Sequence, residues 1–94
     1  MRERITVIIP THERHHVLLR TIDYYRQINV SILIVDSSSV FLDKELPVNI
    51  KYLHLPNSFF GDKIYTALCE VSTPYSCLCA DDDFLSESGL YFGI

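Results

Sequence analysis

Three consecutive aspartates, Asp81, Asp82 and Asp83, directly follow a short apolar segment of the sequence. Adjacent carboxylates repel one another, and a bound cation removes this repulsion. Carboxylate oxygens suit Mg²⁺ or Mn²⁺, which use one or two protein carboxylates and share their remaining coordination positions with substrate phosphates. The run therefore predicts a site for a metal and a diphosphate. The alternative is a solvated acidic turn that caps a helix starting near Ser86.

Two other charged residues are placed to contact a nucleotide. Asp36 ends a run of apolar residues, so its carboxylate could accept a hydrogen bond from a base or a ribose. It could instead cap the loop together with the serines that follow it. Lys63 falls in the first turn of a predicted helix, where anions are attracted, and could reach a phosphate. An ordinary solvated lysine is the alternative there.

The pattern H-E-x-x-H occurs at residues 12–16. On a helix, this pattern places two histidines for a zinc ion, with the glutamate as a general base. Here it begins just after a predicted strand, so it falls in a loop and the first helical turn, and a third ligand is not evident. We interpret these histidines as solvated residues at a helix start, and a zinc hydrolase is the competing hypothesis.

The periodicity of the apolar residues predicts the elements that position these side chains. Apolar runs predict strands at residues 5–9, 31–36, 51–55 and 75–80, and all but the shorter third strand are expected to be buried. Apolar residues at helical spacing predict helices at about 15–29 and 60–71. A further helix is predicted from Ser86, and residues 40–49 are expected to form a connection with one possible helical turn.

Strands that alternate with helices predict an α/β fold. We expect one domain, residues 1–94, with a three-layer, mostly parallel, Rossmann-like sheet of about four strands and helices on both faces. In an open parallel sheet, ligands bind beyond the carboxyl ends of the strands. The polar segments described above all follow predicted strands, so we expect them to meet at one edge of the sheet.

Composition excludes several classes of partner. The net charge of −4 provides no basic surface for nucleic acid. No apolar run approaches the ~18 residues that a transmembrane helix needs, and the N-terminus lacks the apolar core of a signal peptide, so we expect a cytoplasmic location.

The three cysteines, Cys69, Cys77 and Cys79, are an odd number and argue against a disulfide framework. Cys77 and Cys79 share one face of a predicted strand, and we expect buried thiols.

The polar segments also resemble the motifs of a known family. The first strand ends in Ile8-Ile9-Pro10-Thr11-His12-Glu13-Arg14, and the second ends in Val35-Asp36-Ser37-Ser38-Ser39. The fourth strand is followed by Ala80-Asp81-Asp82-Asp83-Phe84. In this order, they resemble the N-terminal half of family 2 glycosyltransferases of the GT-A fold. The resemblance covers about residues 4–90. It implies metal-dependent binding of a nucleotide diphosphate sugar, most often a UDP-sugar, with Mn²⁺ or Mg²⁺ and transfer to a hydroxyl acceptor.

The resemblance also implies roles for individual residues. Pro10, Thr11 and Glu13 would line the nucleotide pocket, Asp36 would contact the base, and Asp81 would approach the ribose. Asp82 or Asp83 would hold the metal, although an alignment on the spacing alone pairs Asp81 with Asp83. The full set expected to bind the nucleotide sugar is Pro10, Thr11, Glu13, Arg14, Asp36, Ser38, Lys63 and Asp81, and the expected metal ligands are Asp82 and Asp83.

Members of this family have a second half that binds the acceptor and supplies the general base. These 94 residues end just after the metal motif, so we expect the piece to be inactive alone, with no catalytic base in it. The alternative is a non-catalytic nucleotide-binding or interaction module on the same fold. The apolar residues Tyr91, Phe92 and Ile94 would be exposed in an isolated monomer, which predicts weak self-association.

Overall fold

A computed structural model describes residues 3–81 of the chain. The elements in chain order are β1 (Ile5–Thr11), α1 (His15–Tyr25), β2 (Ser31–Asp36), β3 (Ile50–His54), α2 (Phe60–Glu70) and β4 (Tyr75–Leu78). The predicted metal ligands Asp82 and Asp83, the helix expected from Ser86 and the apolar C-terminal residues lie outside the described residues. Neither helix of the described part is long and apolar enough to cross a membrane.

The four strands form one parallel sheet in the order β3-β2-β1-β4. The chain moves from β1 outward to β2 and β3, and then returns to β4 on the other side of β1. The order of the strands therefore reverses between β1 and β4, which lie side by side. The space beyond their carboxyl ends is the topological switch point, where ligands bind in open sheets of this kind. The predicted α/β fold with a parallel four-stranded sheet is confirmed.

β1 is buried along almost its whole length, and its alternate side chains belong to two separate hydrophobic clusters. Val7 and Ile9 share a cluster with Leu18 and other residues of α1. Ile8 shares a second cluster with Ala67 of α2. Alternation of this kind follows from the period of two in a strand. It explains why the sequence of β1 is continuously apolar instead of alternating with polar residues.

α1 ends at Tyr25, about four residues before the predicted end near residue 29. The side-chain amide nitrogen of Asn49, from the segment before β3, lies 3.0–3.1 Å from the carbonyl oxygens of Tyr25, Ile28 and Val30, which share its two protons. The carbonyls of Tyr25 and Ile28 also accept the backbone N–H groups of Ile28 and Val30, so the hydrogen-bond spacing of the α-helix is not continued here. The apolar spacing up to Ile28 matched a helix because Ile28 still packs against the core.

The other element boundaries differ from the predictions by one or two residues. β3 begins one residue earlier, α2 ends one residue earlier, and β4 stops at Leu78 instead of Ala80. The prediction that the fourth strand is buried is wrong, since the residues of β4 are exposed or half-buried. The predicted helical turn in residues 40–49 is wrong, since this connection contains no helix. It is instead held by the Tyr52 hydroxyl, which accepts the N–H of Leu42 at 3.1 Å.

The cysteines are free thiols, as predicted, with different exposure. Cys77 and Cys79 belong to the same hydrophobic cluster, which confirms that they share a face of the sheet. Cys79 is buried, whereas Cys77 is half-buried and Cys69 is exposed on α2. Burial, with a smaller contribution from the nearby Cys79, raises the pKa of the Cys77 thiol.

Candidate functional site

The parallel register aligns the polar residues at the carboxyl ends of three strands. Thr11 of β1 is the register partner of Asp36 of β2, and Asp36 is the register partner of His54 of β3. Asp81 follows β4 and reaches the same edge, where it contacts the Thr11 side chain. The sheet therefore brings together polar residues that are separated by up to 70 positions in the sequence.

Asp81 connects the two sides of the switch point. Its Oδ2 accepts a hydrogen bond from the Thr11 hydroxyl at 2.8 Å, and its Oδ1 accepts one from Nη1 of Arg14, also at 2.8 Å. The Asp81 side chain is only 6% exposed, whereas that of Arg14 is 44% exposed. The backbone carbonyl of Asp81 accepts the hydroxyl of Thr21 from α1. Both carboxylate oxygens of Asp81 are thus engaged by β1 and by the loop that follows it.

Asp36 is fully buried and accepts four hydrogen bonds. Its Oδ1 accepts the N–H and the hydroxyl of Ser38, at 2.9 and 2.5 Å. Its Oδ2 accepts Nε2–H of His15 at 3.0 Å and the hydroxyl of Tyr52 at 2.5 Å. Burial by itself would raise the pKa of Asp36, but the hydrogen bonds from Ser38, Tyr52 and His15 outweigh it and lower the pKa. The carboxylate is therefore ionised inside the protein.

Lys63 is buried at the same edge, which corrects the alternative of an ordinary solvated lysine. Its Nζ donates to the carbonyl of Thr11 and to the hydroxyl of Ser37, both at 3.1 Å. Burial lowers the pKa of Lys63, and the nearby negative charges of Asp36 and Asp81 partly oppose that effect. The ammonium thus lies between the ends of β1 and β2 and compensates two buried carboxylates.

The loops that follow β1 and β2 are fastened to each other through Glu13. Its backbone has a positive φ of 53°, a conformation that is uncommon for residues other than glycine. The backbone N–H of Glu13 donates to Oγ of Ser38 at 2.6 Å, and its Oε1 accepts the N–H of Ser39 at 2.6 Å. Ser38 is buried. Glu13 and Ser38, two of the residues predicted for the site, therefore contact each other directly.

The histidines of the H-E-x-x-H pattern do not converge on a common point. His12 Nδ1 hydrogen-bonds Oγ of Ser37 at 2.8 Å, and His16 is exposed on the first turn of α1. Within residues 3–81, no three His, Cys, Asp or Glu side chains lie close enough together to hold a metal ion. The zinc hypothesis therefore gains no support from the geometry.

Sequence reasoning missed two residues of the site, His15 and Tyr52. His15 was interpreted as a solvated histidine, which is wrong, since it is half-buried and donates to Asp36. Tyr52 lies on β3, where its ring packs against Phe41 with the centroids 5.2 Å apart. The pairing of β2 with β3 could have identified Tyr52. His54 is the register partner of Asp36, and Tyr52, two positions before His54, lies on the same face of β3.

Two cavities open at this edge of the sheet. One of about 330 Å³ lies beside the switch point and is lined by Pro10, Phe60, Leu78, Cys79, Ala80 and Asp81. The other, of about 220 Å³, is lined by Glu13, His15, Ser38 and Val40 and lies over the loop after β2. Half of the residues predicted to bind a nucleotide sugar therefore line a cavity at this edge, namely Pro10, Glu13, Ser38 and Asp81.

No protein-family model and no curated protein sequence matches the chain.

Proposed function

We propose that the chain forms the nucleotide-sugar-binding part of a metal-dependent glycosyltransferase of the family 2 type. The observation that carries this proposal is the network of Thr11, Arg14 and Asp81 at the switch point between β1 and β4. Open parallel sheets bind nucleotides and other ligands at this position. Two of the motifs that resemble the family supply this network, since Thr11 and Arg14 belong to the first motif and Asp81 belongs to the third.

The distribution of charge also supports a nucleotide ligand. The buried carboxylates of Asp36 and Asp81 are compensated within the protein by Lys63 and Arg14. Arg14 is the most exposed of these four groups, so its guanidinium is placed to meet a diphosphate from solvent. α1 begins at the next residue without a side-chain cap, and the N–H groups of a first helical turn favour an anion.

The proposed fold is a three-layer GT-A arrangement with helices on both faces of the sheet. The two hydrophobic clusters support it, since one contains residues of α1 and the other contains Ala67 of α2. Alternate residues of β1 contribute to the two clusters, and alternate residues of a strand face opposite sides of a sheet.

The metal would be held by Asp82 and Asp83. Their carboxylates fit Mg²⁺ or Mn²⁺ by chemistry, and the preceding Asp81 has both oxygens engaged by Thr11 and Arg14. A cation in this position supplies a Lewis acid that stabilises negative charge on a leaving diphosphate. The residues between 3 and 81 would position the nucleotide, with Arg14 toward the diphosphate and the loop after β2 toward the base.

Calorimetric titration of the 94-residue chain with UDP, in Mn²⁺ and in EDTA, tests the proposal. We expect binding that is stronger with Mn²⁺, and a double variant Asp82→Ala, Asp83→Ala whose affinity no longer depends on the metal. Asp23→Asn is the matched control, because the Asp23 side chain is 86% exposed on α1 and distant from the network in sequence. It should bind as the wild type does.

Two results would contradict the proposal. One is the absence of binding by any of UDP, GDP, CDP and ADP at millimolar concentration with Mn²⁺. The other is unchanged binding when Asp81→Asn removes the charge that pairs with Arg14. Binding without metal dependence would instead favour the non-catalytic nucleotide-binding module on the same fold.

A further inference from the structure

Asp36 has no acceptor position left for a ligand. Ser38 occupies both positions on Oδ1, and His15 and Tyr52 occupy those on Oδ2. A carboxylate offers about four lone-pair positions in total. A base could therefore reach Asp36 only by displacing one of these donors from a fully buried group. Recognition of the base by this carboxylate, the role that the family resemblance implies, conflicts with the arrangement of its partners.

The same hydrogen bonds fix the tautomer of His15. An ionised carboxylate can only accept, so Nε2 of His15 must carry the proton that it shares with Asp36 at 3.0 Å. In the neutral imidazole, Nδ1 then presents a lone pair. Among residues 3–81 this Nδ1 has no hydrogen-bond partner. Asp36 thus orients the imidazole ring of His15 and fixes the tautomer in which Nδ1 is a hydrogen-bond acceptor.

His15 lines the cavity of about 220 Å³ together with Glu13, Ser38 and Val40. The Ser38 hydroxyl is already engaged, because it donates to Asp36 and accepts the N–H of Glu13. The Glu13 side chain is a carboxylate, which accepts hydrogen bonds. The polar side chains around this cavity therefore offer acceptors, and they suit a ligand that brings an N–H group.

Within the proposed function, we infer that Nδ1 of His15 accepts a hydrogen bond from the base of the bound nucleotide and selects bases with a ring N–H. Uracil at N3 and guanine at N1 carry that proton. Cytosine at N3 and adenine at N1 present a lone pair instead, which would face the lone pair of His15. A site that pairs with an N–H group strongly disfavours an analogue that lacks it.

Competitive titration with four nucleoside diphosphates in Mn²⁺ tests this inference on the 94-residue chain. UDP and CDP form one pair of similar size, and GDP and ADP form the other. In each pair that binds, the member with the ring N–H should bind at least about tenfold tighter, since an acceptor that the bound base covers without pairing is costly.

Two substitutions test the roles of the two ring nitrogens of His15 separately. His15→Gln keeps an N–H donor near the position of Nε2 and removes the acceptor at Nδ1, so the preference for UDP over CDP should disappear. His15→Asn places an amide oxygen near Nδ1 and removes the donor to Asp36, so part of the preference should remain. The opposite order, with the preference lost in His15→Asn and kept in His15→Gln, would overturn the inference and leave His15 as a support for Asp36.

A measurement on the unmodified chain covers the case in which either variant fails to fold. The ¹⁵N resonance of His15 Nδ1 should move toward the position of a hydrogen-bonded nitrogen on addition of UDP, and should not do so with CDP. An unmoved resonance at saturating UDP contradicts the inference while the proposed function stands. Equal affinities for UDP and CDP would also contradict the inference and leave the proposed function intact. If no nucleoside diphosphate binds at all, the proposed function itself fails, and this inference fails with it.

Discussion

Asp36 is the residue on which the internal hydrogen bonds of the site converge. It is fully buried, and its two oxygens accept four hydrogen bonds from three other residues. A buried carboxylate is stable only when its charge is compensated and its lone pairs are paired. Here the hydrogen bonds from Ser38, His15 and Tyr52 pair the lone pairs of Asp36, and Lys63 supplies the nearby positive charge. The residue therefore stabilises the fold while it orients His15 for a ligand.

The lowered pKa of Asp36 predicts a loss of stability in acid. In the folded chain, the pKa lies below the ordinary value of 3.8, so near that pH the unfolded chain binds more protons. Asp36 therefore contributes stability fully above pH ~4, and this contribution disappears as the pH falls through the folded pKa. Unfolding by urea at a series of pH values should show the decline.

Asp36→Asn should flatten this part of the pH dependence and destabilise the chain at neutral pH. The amide nitrogen cannot accept the donors that now bind Asp36, and each buried donor left unpaired costs about 1–3 kcal/mol. Asp23→Asn, at an exposed position, should leave both the stability and the pH dependence unchanged. If the Asp36→Asn variant is as stable as the wild type at pH 7, the hydrogen bonds to the replaced oxygen contribute nothing to stability.

At the scale of the elements, the ends of strands and helices are held by residues from other segments. Glu13 and Ser38 join the loops after β1 and β2, and Tyr52 holds both Asp36 and the connection at Leu42. Asn49 donates to the carbonyls at the end of α1. Each contact links neighbouring elements, so the geometry of the site depends on the packing of the sheet and not on one loop alone.

Asn49→Ala should destabilise the chain by about 1–3 kcal/mol, because three carbonyl oxygens near the end of α1 each lose a hydrogen-bond partner. Asn49→Asp should be worse, since it keeps the shape but turns a carboxylate oxygen toward those carbonyls. Lys44→Ala, in the same connection and exposed, is the control and should change the unfolding free energy by less than about 0.5 kcal/mol. Chemical denaturation measures all three, and equal effects of the Ala and Asp substitutions would contradict the assigned donor role.

At the scale of the whole molecule, the order β3-β2-β1-β4 decides where the site lies. The strand order reverses between the parallel strands β1 and β4, and the cavity of about 330 Å³ lies beside Asp81 at this point. A third cavity, of about 270 Å³, lies near the exposed Lys51–Glu70 ion pair and is lined by residues that start β2. It is separate from the aspartates and smaller than the cavity beside Asp81, so cavity size and the charged network indicate the same edge of the sheet.

A ligand that binds only the folded chain should raise its melting temperature. At tenfold excess over the dissociation constant, the stabilisation is about 1.4 kcal/mol. For a domain of this size, that corresponds to roughly 5–11 °C. Thermal unfolding with UDP and Mn²⁺ should show this shift, and the Asp82→Ala, Asp83→Ala variant should show a smaller one. No shift at concentrations that saturate in calorimetry would mean that the ligand does not bind the folded domain.

Sequence periodicity predicted the fold well because each strand is a short apolar run and each helix has one apolar face. It predicted β2 to the residue and placed the polar segments at one edge of a parallel sheet, as the structure confirms. The predicted end of α1 was wrong because Asn49, a residue about twenty positions away, pairs with the carbonyls there. The nucleotide, the metal and self-association through the C-terminal residues stay predictions.

The amino-acid sequence alone specifies the types of the site residues and their places after the strands, since chain connectivity puts a residue at a strand end. The packing of the sheet, by contrast, sets which of these residues touch. Burial of Lys63 and the saturation of Asp36 by His15 and Tyr52 depend on strand order and register. Hydrogen bonds between segments arise when packing brings donors and acceptors together, and no local pattern encodes that pairing.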